Sequence, residues 1–115
     1  MMKVLWIGEH AVPCYFEGEV KCETDLIYGW YEPTTNVIYV DNTCDKQVQA
    51  RTLFHEAMHA VIHLRVGKSV WSYPVDQLEE SYVRALESLQ DVLRDRRNAW
   101  FTKIILKRFT KDEKK

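Results

Sequence analysis

Two histidines four residues apart, His55 and His59, enclose Glu56 in the run His55-Glu56-Ala57-Met58-His59. The flanking segments Thr52-Leu53-Phe54 and Ala60-Val61-Ile62 read as helix, and on a helix positions four apart are offset by only ~40°. Both imidazoles then point the same way and can share one Zn²⁺, with a carboxylate beside them. A hydrolytic zinc site needs three protein ligands and one position open to water. His55 and His59 supply two of the three. Glu56 would not ligate; it would take a proton from the water that the zinc activates and pass it to the leaving group.

The third ligand must come from elsewhere. Histidine-only ligation of the metzincin type needs a glycine three residues after the second histidine and a third histidine three beyond that. Ile62 and Arg65 stand there, which excludes that subclass. His63 lies one turn beyond His59 on nearly the same face, but on a straight helix it sits too far along the axis to share the ion and reads as a supporting or surface residue. The acidic pair Glu79-Glu80 is the better source. Where a glutamate completes a two-histidine zinc site, it comes from a following helix, commonly about twenty residues on, and Glu79 stands at that separation from His59. Phase agrees: Glu79 falls at the border of the apolar stripe of its helix, whereas Glu80 points nearly opposite. Glu79 is the expected ligand and Glu80 the alternative.

The elements that must position these groups can be read from periodicity. Val4 to Ile7, Val12 to Phe16 (interrupted by Pro13) and Leu26 to Tyr31 read as strands, and Val37-Ile38-Tyr39-Val40 is the clearest strand in the chain. A β-rich part over residues 1–43, built as a small antiparallel sheet, is expected. Thr43 or Asp45 can cap a helix running from Lys46 to Arg65 and stopping at Gly67, within a helical segment 44–66. After a loop to Pro74, Asp76 with Glu79 three residues on has capping-box spacing, opening a helix within 75–96. Its stripe is Leu78, Tyr82, Ala85, Leu86, Leu89, Val92 and Leu93. The helix is expected to loosen over Arg94 to Asn98, and a last helix spans Ala99 to Phe109, within 98–109, with a frayed tail from Thr110 to Lys115.

Composition excludes several classes. The 115 residues fit one domain, and 46% hydrophobic with 12% aromatic content is enough to bury a core without staples. A formal net charge of -1 argues against a nucleic-acid partner that covers the whole surface. The basic set Lys103, Lys107, Arg108 and Lys111 reads as a solvated face. Cys14, Cys22 and Cys44 lack paired spacing and suggest reduced thiols. Met1 to Ile7 is too short for a signal peptide, and no stretch approaches the ~18 apolar residues of a membrane span. A cytoplasmic protein without a membrane partner is the expectation.

The strand Asn36-Val37-Ile38-Tyr39-Val40-Asp41, the segment Arg51-Thr52-Leu53-Phe54-His55-Glu56-Ala57-Met58-His59-Ala60-Val61 and the pair Glu79-Glu80 opening a helix together resemble the ImmA/IrrE-type metallopeptidases. The resemblance covers residues 36 to 95, and within that family it is similar to small phage and prophage proteins, which also show a helix ending near a triplet like Leu93-Arg94-Asp95. It implies an α+β, minimal zincin-like fold: a small N-terminal sheet packed on the His-Glu-x-x-His helix and two further helices. It also implies a sheet edge that holds an extended substrate, with Val37 to Val40 as that edge. The function implied is zinc-dependent endopeptidase action on a protein substrate such as a transcriptional regulator of a mobile element or its host. The family's small residue three after the ligand glutamate is here Tyr82 or Val83, which leaves Glu79 and Glu80 both open.

Blander readings stand beside these. The helix from Leu53 to Leu64 is apolar nearly all round, so its two histidines would simply be hydrogen-bonded in a buried helix if the motif were accidental. Zinc could also stabilise a non-catalytic protein-binding module on the same scaffold, closed by a fourth ligand such as His63 or Glu80. Tyr73 or Tyr82 could polarise a scissile carbonyl, but packing is the default for both, as it is for Trp6, Trp30 and Trp71. Trp100, Phe101, Ile104 and Ile105 read as core, with a partner groove as the other use of so much apolar surface.

Overall fold

The computed structural model describes the backbone of residues 1–18, 20–22, 25–66 and 75–113, and the side chains of residues 1–18, 28–66 and 83–107. Six strands precede three helices: β1 (Met2–Ile7), β2 (His10–Glu17), β3 (Val20–Cys22), β4 (Asp25–Ile27), β5 (Gly29–Glu32), β6 (Val37–Asp41), α1 (Lys46–Val61), α2 (Val75–Arg94) and α3 (Ala99–Glu113). The fold is α+β. Four strands form one sheet in the order β1-β2-β6-β5, and β3 and β4 form a separate antiparallel ribbon.

Alternation builds the sheet's inner face. Leu5 and Ile7 of β1, Val12, Cys14 and Phe16 of β2, Tyr31 of β5, and Ile38 and Val40 of β6 are all buried. They meet Leu53, Ala57, Ala60 and Val61 of α1, Val92 of α2, and Phe101 and Ile105 of α3 in one cluster. On the other face Tyr15 and Tyr39, opposite each other in register, stack with ring centroids 5.8 Å apart.

The sheet is mixed, which corrects the antiparallel expectation. β1–β2 and β5–β6 are antiparallel, but β2 and β6 run parallel, from Cys14 beside Ile38 to Glu17 beside Asp41. Parallel neighbours need a long crossover, and the stretch 18–36 with its β3–β4 excursion provides one. Pro13 fits inside this sheet because it opposes Val4, whose carbonyl faces away from β2, and because the pairing to β6 begins one residue later.

A second correction concerns the edge. β6 is flanked by β2 and β5, so the segment Val37 to Val40 has both sides paired and cannot accept a further strand. The terminal strands are β1 and β5. The outer side of β1 is occupied by side chains: Asn98 accepts from the Trp6 N–H at 2.7 Å and donates to the Trp6 carbonyl at 2.7 Å, and Trp100 Nε1 donates to the Val4 carbonyl at 2.9 Å. That leaves β5 as the open edge among the described residues.

The helices follow their caps. Asp45 Oδ1 accepts from the Val48 N–H at 3.0 Å and opens α1. The expected helix to Arg65 ends differently: α1 stops at Val61 and a wider π turn carries Ile62–Val66. Gly67, and the loop from Gly67 to Pro74 with Trp71 and Tyr73, lie outside the described residues. α2 loosens as expected, with a 3₁₀ turn over Arg96–Asn98 capped by Asp95. α3 continues to Glu113 rather than ending at Phe109, since no helix breaker stands between Thr110 and Glu113. The stripe on α2 is buried at Ala85 and Val92, but Leu86 is 59% exposed, against expectation. No described helix is long and apolar enough to cross a membrane.

Candidate metal centre

α1 presents two faces. Ala50, Leu53, Ala57, Ala60 and Val61 are buried in the core, while His55 and His59 are exposed on the far side. The all-round apolar reading of this helix is therefore corrected: its histidines are outside the core, and they face each other. Their Nε2 atoms are 3.1 Å apart, with ring centroids 4.7 Å apart and planes at 80°. Two imidazole nitrogens bound at ~2.0–2.1 Å to one tetrahedral zinc lie about 3.3 Å from each other, so the observed spacing fits a shared ion.

Glu56 is set by a different contact. Rotated about 100° from His55, its side chain is only 12% exposed and lies against β5. Thr52, one turn earlier, faces the same strand. A Cβ added at Gly29 would collide with the Thr52 methyl, approach the Tyr39 carbonyl oxygen at 2.8 Å and reach the Glu56 Cγ at 3.6 Å. Only glycine lets the strand come this close to the helix. Two residues on, the Tyr31 ring meets His63 with centroids 6.0 Å apart. Thr52, Glu56 and His63 thus follow Gly29 to Tyr31 along one side of α1 and its π turn, and helix and strand run side by side in the same direction.

The result is a cleft of about 280 Å³ lined by Tyr28, Gly29, Arg51, Thr52, His55 and Glu56. Glu56 Oε2 stands 4.0 Å from His55 Nε2, which puts the carboxylate at the rim of the space the two imidazoles converge on. Tyr28 is 60% exposed at its mouth. His63 does not join the histidine pair; it is turned to Tyr31, whose hydroxyl donates to Asn36 Oδ1 at 2.6 Å. Burial pushes the Tyr31 phenol up from its ordinary value, and the nearby Glu32 carboxylate adds to this.

Glu79 and Glu80 both lie on α2, as the spacing predicts, but their side chains are outside the described residues, and so are those of Tyr82 and Cys22. Among the described residues no three His, Cys, Asp or Glu side chains form a metal-binding group. Four residues of the cleft, Tyr28, Gly29, Arg51 and Thr52, carry no site signal in the sequence reading, and two of them are instructive. Arg51, one turn before His55, was read only as part of a motif, and Gly29 was hidden inside an expected strand. An isolated glycine in a strand pattern is itself a signal of close backbone approach. Comparison of the chain with protein-family models, curated proteins and solved structures finds no match.

Proposed function

We propose that the chain is a zinc-dependent endopeptidase of minimal zincin-like fold, in which His55 and His59 hold the metal with Glu79, or alternatively Glu80, as third ligand. The observation that carries this reading is the 3.1 Å convergence of the two Nε2 atoms beside the Glu56 carboxylate at an open cleft. Zinc bound there would supply Lewis acidity toward water and the scissile carbonyl. Glu56 takes the proton of the attacking water on its carboxylate and delivers it to the leaving amine. The side chain that carries this carboxylate is only 12% exposed and lies beside Gly29 of β5.

The substrate is an extended segment of a protein, a transcriptional regulator of a mobile element or host in keeping with the ImmA/IrrE resemblance. Its backbone pairs with β5, the open edge beside the cleft, in place of the strand ending at Val40. The rival, a zinc-stabilised binding module, calls for a fourth protein ligand; of its two candidates His63 is turned to Tyr31, and the side chain of Glu80 lies outside the described residues. Metal analysis of the purified protein together with peptidase assays of Glu56→Gln tests the reading: zinc retained and cleavage lost is expected, whereas unchanged proteolysis would overturn the mechanism. A zinc-free protein after purification and reloading would overturn the metal site.

A further inference from the structure

A shallow, open groove of about 690 Å³ lies between the end of α2 and α3 and shares no lining residue with the cleft at His55. Its floor is apolar: Leu93, Ala99 and Leu106, the last 59% exposed. Leu86 lies seven residues before Leu93, on the same face of α2, and Val83 lies three before Leu86; they are 59% and 48% exposed. From Val83 to Leu93 this apolar track spans ~15 Å at 1.5 Å per residue and leads into the groove. Half of the exposed large apolar residues of the described chain, three of the six, lie on this surface, so the exposure is concentrated and not scattered.

The rim has one sign. Arg94, Arg96, Lys103 and Lys107 line it, and the single acidic residue among them, Asp95, is taken up by Arg97, with Nη2 to Oδ2 at 2.7 Å and Nε to Oδ1 at 3.1 Å. The Arg97 guanidinium holds the Asp95 carboxyl below its usual range, so it stays an occupied anion. In a chain of net charge -1, a basic rim around Leu93 and Leu106 is a local arrangement with its own complement; one to two turns back along α2 the exposed Glu87 and Asp91 continue the stripe of Arg94 beside Leu86, so the basic character is confined to the groove itself.

We propose that this groove docks an amphipathic helix of a partner protein, with its apolar stripe on Leu86, Leu93 and Leu106 and acidic residues flanking the part that lies between Arg94, Arg96, Lys103 and Lys107. A helix laid in a groove buries anchors of its own spaced three, four and seven apart, and the track offers them apolar contact over about three helical turns. A nucleic acid would satisfy the rim through its phosphates but leave the leucines in water.

The test uses the full chain, ¹⁵N-labelled, titrated with three probes: a synthetic helical peptide carrying leucines three, four and seven apart with flanking glutamates, the same peptide with lysines for the glutamates, and a duplex oligonucleotide. The acidic peptide is expected to shift the amides of Leu93, Ala99, Thr102 and Leu106 and to bind at least about tenfold more tightly than the lysine peptide, with added salt narrowing the gap. The exposed double variant Lys103→Glu/Lys107→Glu should reverse the preference. Equal binding of the two peptides, binding of neither, shifts confined to other residues, or tighter binding of the oligonucleotide each overturns the proposal. Concentration-dependent shifts at the same amides without any probe would assign the groove to a second copy of the chain and overturn it as well.

Discussion

Asn98 holds Trp6 by both of its backbone groups, accepting from the N–H and donating to the carbonyl, each at 2.7 Å, across 92 positions of sequence. The same amide nitrogen also donates to the Val92 carbonyl at 2.9 Å, and the residue is completely buried. One side chain therefore acts as a strand neighbour to β1 and fastens the corner between α2 and α3. Replacing it by alanine strands several buried polar groups at once. Asn98→Ala should cost ~2–4 kcal/mol in urea denaturation, and Trp100→Phe, which removes the single bond to the Val4 carbonyl and trims a partly buried ring packed on Phe16 and Phe101, about 1–2 kcal/mol. Equal effects of the two would refute the clamp.

The contact of β5 with α1 should be sensitive to a single methyl. Gly29→Ala is expected to destabilise by ~1–3 kcal/mol through overpacking against Thr52 and the Tyr39 carbonyl. Thr52→Ser removes one of the two obstacles, so in a double-mutant cycle part of the loss should be recovered. Strict additivity would show that Gly29 and Thr52 do not meet.

Removal of metal ligands should separate from removal of neighbours. His55→Ala and His59→Ala should each lower zinc affinity by more than the ~10–100-fold that loss of a supporting contact costs, while His63→Ala leaves it nearly unchanged because His63 packs on Tyr31. Competition with a chromophoric chelator reads all three.

Glu79→Gln and Glu80→Gln decide the third ligand by the same measurement. Zinc affinity should fall sharply in Glu79→Gln and little in Glu80→Gln; the opposite order would transfer the role to Glu80, and two small effects would remove α2 from the site.

Cys14 makes a prediction about alkaline stability. Burial pushes its thiol from 9.0 up to about 12, with a partial offset from the Leu5 backbone. The unfolded chain releases this proton from about pH 9, but the folded chain holds it to about pH 12, so the contribution is full below pH 9 and is lost as pH rises through that window. The loss amounts to about 4 kcal/mol at most, from three pH units at ~1.4 kcal/mol each. Cys14→Val, similar in volume and unable to ionise, should flatten the decline in thermal melts between pH 9 and 12.

What the residues announced in advance were features carried by neighbours in sequence. The Asp45 cap, the Val37 to Val40 strand, the loosening after Arg94 and the convergence of His55 on His59 all follow from local spacing. What they did not announce depends on partners far along the chain. Alternation in Cys14 to Glu17 shows which face is buried but not that the neighbour is β6 or that it runs parallel. For the same reason Val37 to Val40 was expected at an edge and lies inside the sheet. Leu86 has the phase of a core residue, yet it is 59% exposed. Asn98 carried no signal at all, because a buried amide is recognised only by the backbone it serves.

The plugging of β1 by Asn98 and Trp100 bears on self-assembly. In polymer language, a sheet with two free edges is a bifunctional monomer and can grow without limit, whereas one with a single free edge is a chain stopper. Two copies that met edge to edge here would join β5 to β5, close the pair and shut the cleft at His55, and among the described residues the four-stranded sheet would keep no open edge to which a third could add.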